Sequence, residues 1–193
     1  MKICIFCASS DTLAPEYYEQ ANAFGHALAV RGHSLIFGGS ADGLMSAAAD
    51  GVKAGGGHVC GIAPRFLGEA IPRYPGCDEL IYTDTMDQRK AKMLEMSDAF
   101  AVLPGGLGTL DEFFCAVTLR QMGQLPKPFV LLNTDGFFDT LGRFLSESME
   151  KGFIGKSFAG CYAVVNTPEE AVEYLEKAAA EPGQCRGVAE YNR

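Results

Sequence analysis

The chain has little positive charge and no long apolar stretch. Its 193 residues include 16 lysines and arginines against 24 aspartates and glutamates, a formal net charge of −8. This balance argues against a broad surface for nucleic acid or an anionic membrane, but not against a small phosphorylated ligand held by local groups. No apolar run approaches bilayer length, and Met1 leads directly into a strand-like segment. We therefore expect no membrane span, no secretory signal and a cytoplasmic protein.

Metal-ligating and disulfide patterns are also missing. The histidines are His26, His33 and His58, and none stands at ligand spacing from a cysteine or an acidic residue, so we predict no metal site. The seven cysteines show no framework spacing. Cys4 and Cys7 fall in one predicted strand, which predicts side chains on opposite faces and not a redox pair. We expect most of the cysteines to be small buried apolar residues in a reducing compartment.

Apolar runs instead alternate with segments of helical spacing. Strands are predicted at 2–7, 34–37, 59–63, 79–82, 99–103, 129–132 and 162–165, and helices at 15–31, 44–53, 84–97, 110–122, 137–151 and 168–180. Continuous apolar strands alternating with helices indicate a parallel sheet covered on both faces. The predicted fold is a Rossmann-like, doubly wound, three-layer α/β/α sheet. It forms a single domain over residues 1–180, and a polar tail follows at 181–193.

One strand–turn–helix stretch is unusually rich in glycine. The apolar run 99–103 ends in a turn that contains Gly105, Gly106 and Gly108, and Thr109 and Glu112 follow in the next helix. Bare backbone at a helix start offers N–H groups and a positive dipole to an anion. Alternatively, Thr109 and Glu112 form a capping box and only satisfy free backbone donors.

Three turns suited to phosphate or ribose follow strands of the predicted sheet. They are residues 8–10, which include Ser10, residues 38–40, which include Gly39, and residues 104–108. Ligands on such sheets bind beyond the carboxyl ends of the strands, so all three turns should meet at one edge. This convergence predicts a nucleotide site.

Three common site chemistries do not match these turns. The first turn has no glycine, which excludes the G-x-G-x-x-G of a dinucleotide oxidoreductase. Gly38 and Gly43 have the spacing of a Walker A loop, but Leu44 and Met45 stand where Lys and Ser or Thr are required. The G-x-S-x-G of a serine hydrolase is absent.

A cationic pair precedes the glycine-rich stretch. Arg89 and Lys90 lie on the helix before the central strand, among Met86, Met93 and Met96. In one interpretation the two cations are a solvated face and the methionines belong to the core. In the other, Arg89 faces the ligand over a methionine wall suited to a flat base.

These motifs together resemble one known family. Residues 104–112 match the P-G-G-x-G-T-x-x-E signature of the Lonely Guy (LOG) family, the cytokinin riboside 5′-monophosphate phosphoribohydrolases. Residues 86–90 look like its M-x-x-R-K, and 6–10, 38–45 and 61–64 resemble its F-C-G-S-S, G-G-S-x-x-G-L-M and G-V-I-P motifs. The resemblance spans about residues 2–175. Ala8 replaces a glycine, Asp42 is an unusual acid, 116–120 lacks a tryptophan, and 69–72 matches the substrate loop poorly.

The resemblance implies cleavage of the N-glycosidic bond of a purine nucleoside 5′-monophosphate, either AMP or a cytokinin nucleotide, without cofactor or metal. It implies Arg89 and Glu112 as catalytic residues. It implies substrate binding by Lys90, Gly105, Gly106, Gly108, Thr109, Thr118, Ser10, Gly39 and Met86. It also implies a homodimer, in which Thr118 could serve the partner's site.

Two other functions remain as alternatives. The first is a non-catalytic nucleotide- or cofactor-binding protein that resembles molybdenum-cofactor carriers; the intact pair of Arg89 and Glu112 argues against it. The second is lysine decarboxylase, a label often attached to this family. It fits poorly because the chain is short for a pyridoxal-phosphate enzyme and no lysine stands out as a Schiff-base site.

Overall fold

The computed structural model describes residues 1–181, without the side chains of residues 69 and 70. Its strands are β1 (Lys2–Phe6), β2 (Ser34–Phe37), β3 (Val59–Pro64), β4 (Glu79–Thr83), β5 (Ala99–Val102), β6 (Phe129–Leu132) and β7 (Ala163–Val165). Its α-helices are α1 (Pro15–Val30), α2 (Gly43–Ala54), α3 (Met86–Met96), α4 (Leu107–Gln121), α5 (Asp139–Glu150) and α6 (Pro168–Ala180). The predicted order of strands and helices is therefore confirmed.

The seven strands form one parallel sheet in the order β4-β3-β2-β1-β5-β6-β7. The chain proceeds outward from β1 in one direction through β2 to β4, and then returns to β5 on the other side of β1. The turns after β1 and β5 consequently flank the point at which the strand order reverses. In such sheets this is where a crevice for a ligand opens.

Alternate residues of each strand enter two separate cores. Ile3 and Ile5 of β1 pack into the core beneath α1, α2 and α6, whereas Cys4 and Phe6 pack into the core beneath α3, α4 and α5. Helices cover both faces, which confirms the three-layer doubly wound prediction. Cys7 belongs to the first core and Cys4 to the second, so the two thiols lie on opposite faces as predicted.

The helix starts correct two sequence interpretations. The cap of α3 is Thr85, whose side chain accepts from Gln88 N–H, and not Thr83 or Asp84 as predicted. The capping box that the structure shows among residues 1–181 is Thr167 with Glu170 at the start of α6. At α4 the N-cap is Gly106 and no side chain caps the helix, so the capping-box alternative for Thr109 and Glu112 is wrong.

The stretch between β3 and β4 contains more structure than the predicted loop. It begins with a 3₁₀ segment at Arg65–Ala70, and Arg73 then forms an antiparallel bridge with Ser40. This stretch therefore folds back over the turn that follows β2. Among residues 1–181, no helix has the length and apolar character needed to cross a bilayer.

Candidate active site

A cavity of about 540 Å³ opens beyond the carboxyl ends of the strands. Residues of all three predicted turns line it, among them Ala8, Ser10, Gly38, Ser40, Gly106 and Gly108. The turns are also bonded to each other. Ala8 N–H donates to Pro104 O at 3.0 Å, and Ala8 O accepts from Leu44 N–H at 3.0 Å. The predicted convergence is thus present and is fixed by backbone hydrogen bonds.

Most of the predicted site residues lie on the cavity wall. Arg89, Glu112, Gly106, Gly108, Thr109, Ser10 and Met86 line it. Met45 joins Met86 on the wall, whereas Met93 is fully buried in the core. The methionines near Arg89 therefore divide between the cavity wall, where Met86 lies, and the core, where Met93 lies.

Four predicted binding residues do not line the cavity. Gly39 has φ +74° and packs against Leu80 and the Gly61 backbone, which gives it a conformational role. Gly105 leaves room for Thr109, because a Cβ at Gly105 would lie 2.1 Å from Thr109 Oγ1. Lys90 and Thr118 are described below.

The ion pair of Arg89 and Glu112 lies at the centre of the site. Arg89 Nη1 donates to Glu112 Oε1 at 2.6 Å, and both side chains are about one-tenth exposed. Arg89 Nε donates to the carbonyl of Ile62 in β3 at 3.1 Å. A Cβ on Gly38 would lie 2.4 Å from Arg89 Nη2, so this glycine makes room for the guanidinium. Groups from β3, the β2 turn and α4 thus hold Arg89 in one orientation.

Burial perturbs the acid–base properties of this centre. Desolvation raises the pKa of the Glu112 carboxyl above its usual value, and the charge of Arg89 opposes the rise. Burial, reinforced by the charge of Glu112, also raises the pKa of the Cys7 thiol. Cys7 on the cavity wall is accordingly a protonated thiol and not a nucleophile.

The first turn of α4 offers an anion site. The N–H groups of Leu107, Gly108 and Thr109 occupy the first three helical positions and cannot find partners within the helix. Gly106 and Gly108 have no neighbours in the space that a Cβ would occupy, so a ligand can approach the backbone. The dipole of α4 adds positive potential, and Thr109 lies on the cavity wall.

The start of α2 is different, because a carboxylate of the chain already occupies it. Asp11 Oδ1 accepts from Gly43 N–H at 2.7 Å. Asp42, the N-cap residue, adds a second negative charge at this helix start. Among the described residues, three helices begin at the cavity: Thr85 caps α3 and Asp11 binds the start of α2, whereas no side chain caps α4. Sequence reasoning missed Asp11, because nothing in its local pattern indicates a bond to residue 43.

Lys90 lies at the border of the cavity, and Thr118 lies outside it. Lys90 Nζ donates to Asp111 Oδ2 at 3.0 Å and also lies 3.6 Å from Asp87 Oδ1. Asp111 lines the cavity, so the Lys90 ion pair borders it without entering it. Thr118 is exposed on α4, six residues after Glu112 and about 240° around the helix. A partner subunit would be needed for Thr118 to face a substrate.

Comparison with other proteins identifies similar sequences. The model of a protein family described as possible lysine decarboxylase matches residues 45–175. The chain is 39% identical over 176 residues to cytokinin riboside 5′-monophosphate phosphoribohydrolase LOG2 of Arabidopsis thaliana, covering 91% of this chain and 83% of that protein. It is 37% identical over 179 residues to the probable enzyme of the same name, LOGL2, of Oryza sativa subsp. japonica, covering 91% and 72%.

Solved structures share the fold at lower sequence identity. The molybdenum cofactor carrier protein of Chlamydomonas reinhardtii has a TM-score of 0.73 at 23% identity, covering 93% of this chain and 98% of that chain. The molybdenum cofactor binding protein of Rippkaea orientalis has a TM-score of 0.69 at 23% identity, covering 91% and 95%. Both comparisons agree with the three-layer sheet.

Proposed function

The chain belongs to the Lonely Guy family, whose sequence model bears the description possible lysine decarboxylase, and from this premise we propose that it is a phosphoribohydrolase. It hydrolyses the N-glycosidic bond of a purine nucleoside 5′-monophosphate and releases the free base and ribose 5-phosphate. The observation that carries the proposal is the 2.6 Å pair of Arg89 and Glu112 beside the uncapped start of α4.

The 5′-phosphate binds at the start of α4 in this proposal. The N–H groups of the first turn and the Thr109 hydroxyl hydrogen-bond to the phosphate oxygens, and the helix dipole stabilises the charge. Gly106 lets the backbone come close to the phosphate, and Gly105 makes room for Thr109. Because Glu112 lies one turn further along the same helix, the bound phosphate places the sugar next to the carboxylate.

Glu112 and Arg89 then carry out the bond cleavage. As the bond from C1′ to the purine nitrogen breaks, its electron pair leaves with the base and the sugar becomes an oxocarbenium-like cation. The Glu112 carboxylate stabilises this cation, holds the ribose hydroxyls and takes a proton from the water that bonds to C1′. Transfer of this proton to the departed purine nitrogen gives the neutral base and restores the carboxylate. Arg89 keeps the carboxylate ionised and oriented, and its charge eases the departure of the purine.

The alternative functions have less support from the residues. A carrier would bind a phosphorylated ligand without turnover and would not need the buried carboxylate of Glu112, which burial destabilises in its ionised form. The decarboxylase description would require a lysine for a Schiff base. Among residues 1–181 no lysine lines the cavity, and Lys90 at its border is paired with Asp111.

We further propose that the protein is a cytoplasmic homodimer and that its activity includes AMP hydrolysis. The dimer is supported by Leu107, which is 88% exposed at the mouth of the cavity, and by the exposed Thr118 on the same helix. The proposed interface would cover both of these side chains.

Chromatography of the products tests the proposal. The purified protein is incubated with AMP, GMP, IMP, CMP and N6-isopentenyl-AMP, and free base and ribose 5-phosphate are quantified. We expect stoichiometric release of base and ribose 5-phosphate from at least one purine nucleotide and none from CMP. Tight binding of a purine nucleotide without release of base would instead favour the carrier function.

A further inference from the structure

Arg73 brings to the cavity a positive charge that the proposed chemistry does not use. Its side chain lines the wall, and among the described residues it makes one hydrogen bond, from Nη2 to Pro64 O at 3.5 Å. No carboxylate of residues 1–181 with a described side chain forms an ion pair with it. A half-buried guanidinium with so few partners retains most of its five donors for a ligand.

The backbone around Arg73 is rigidly placed. Arg73 forms its antiparallel bridge with Ser40, Ala41 N–H donates to Pro72 O at 2.9 Å, and Tyr74 N–H donates to Gly39 O at 3.0 Å. The buried Tyr74 donates its hydroxyl to Asp50 at 2.7 Å. Arg73 is therefore held against the turn after β2 on both sides, which suits a group that recognises a ligand.

Asp42 provides a negative group on the same wall. It lines the cavity, and its Oδ2 accepts from Ser40 Oγ at 3.1 Å. Its Oδ1 accepts no hydrogen bond from the described residues. Ser40 thus fixes the carboxylate and also bridges to Arg73, so one residue positions both charged groups.

These two groups lie at the end of the cavity away from the start of α4. That helix follows β5, whereas Asp42 and Arg73 are attached to the turn after β2, two strands away across β1. Adjacent strands are about 4.8 Å apart, so the separation across the sheet is about 10 Å. Arg89 spans the interval from Glu112 to Gly38. With the phosphate at α4 and the sugar at Glu112, the base extends toward Asp42 and Arg73.

We propose, as a consequence of the function proposed above, that Arg73 and Asp42 select a purine whose hydrogen-bonding edge is unsubstituted. Arginine N–H groups match the acceptor atoms of a purine, and a carboxylate accepts from an exocyclic amino group. An alkyl chain on that amino group would replace one of its two N–H donors and place apolar atoms against two half-buried charges. Adenine nucleotides with a free amino group are thus better substrates than N6-alkylated ones.

A substrate comparison with matched variants tests this selection. We measure kcat/KM for AMP and N6-isopentenyl-AMP in the wild type, Arg73→Met and Arg143→Met, a control that removes an exposed arginine from α5. We expect the wild type to favour AMP by about 10-fold or more. Arg73→Met should lose at least about 10-fold on AMP and much less on N6-isopentenyl-AMP. Arg143→Met should match the wild type on both.

Two more conservative substitutions test the selection even if Arg73→Met fails to fold. Arg73→Lys removes the planar fork and Asp42→Asn removes the charge, and each should reduce the preference for AMP. An unchanged preference in both variants overturns the inference. So does a wild type that prefers N6-isopentenyl-AMP, or an Arg73→Met that loses the same factor on both nucleotides.

Measurements of nucleotide binding distinguish a failure of this inference from a failure of the proposed function. Dissociation constants for the two nucleotides are measured by calorimetry on Glu112→Gln and on the double variant Glu112→Gln with Arg73→Met. If no nucleotide is hydrolysed, the proposed function fails. Tighter binding of AMP that is lost with Arg73 would still support the selection, and equal binding of both nucleotides would refute it.

Discussion

At the scale of single residues, the proposed mechanism depends on a carboxylate that is costly to bury. Glu112 is 9% exposed, and its ion-pair partner among the residues that the structure describes is Arg89. A buried ion pair contributes little net stability, because desolvation offsets the attraction. The position of this pair on a cavity wall is better explained by chemistry than by folding.

Removing the charge of Glu112 should abolish turnover while the fold persists. We expect Glu112→Gln to lower kcat on the order of 10³-fold, because the neutral amide neither stabilises the sugar cation nor activates water. Unfolding free energy should fall by about 1–3 kcal/mol, since Arg89 keeps an acceptor but loses its counter-charge. Kinetics and denaturant unfolding check both effects. The exposed Glu150→Gln on α5 is the control, and near-wild-type turnover in Glu112→Gln would exclude Glu112 from the mechanism.

The raised pKa of Glu112 predicts an unusual pH profile. The catalytic form is the carboxylate, so activity falls as the pH drops through the pKa of Glu112. Because burial raises this pKa, the acidic limb of kcat/KM should lie above the value of about 4.3 for an ordinary glutamate. Arg89 lowers the pKa, so residual activity in Arg89→Gln should have its acidic limb at still higher pH. A wild-type limb at or below the ordinary value would contradict the assignment.

At the scale of elements, local sequence determines the strands and helices but not the contacts between them. Apolar runs and turn residues placed all seven strands within a residue or two. The anion site at α4 was also predicted from its glycines. By contrast, Asp11 at the start of α2 and Arg73 on the cavity wall depend on pairing between distant segments. No local spacing encodes those contacts, so the sequence alone left the part of the cavity near Arg73 undetermined.

The close packing of α1 on α2 gives a prediction at this scale. A Cβ on Gly25 would lie 1.9 Å from the Ala48 carbonyl oxygen, so the helices must separate to accept it. We expect Gly25→Ala to lower the unfolding free energy by about 1–3 kcal/mol.

Gly142 of α5 is the matched control, since nothing lies within 4 Å of its added Cβ. Gly142→Ala should stabilise the protein by about 0.5–1 kcal/mol, because alanine is the better helix former. Urea unfolding of both variants measures the two effects. Equal stability changes would contradict the close approach of α1 and α2.

At the scale of the whole molecule, the sheet topology brings the three turns together. In the proposed dimer this edge continues into a partner subunit, which covers the exposed Leu107 and Thr118. Light scattering after size exclusion should give about twice the chain mass of 20.6 kDa. Leu107→Lys should shift the population toward monomer, because the charge cannot be buried at an apolar interface. A monomeric wild type at micromolar concentration would contradict the proposed dimer.

The link between phosphate binding at α4 and cleavage at Glu112 can be tested with one pair of substrates. We compare kcat/KM for AMP and for adenosine, which differ only in the 5′-phosphate. If the start of α4 holds the phosphate and so places C1′ beside Glu112, AMP should be preferred by on the order of 10³-fold or more. Equal cleavage of AMP and adenosine would show that the α4 anion site takes no part in the reaction.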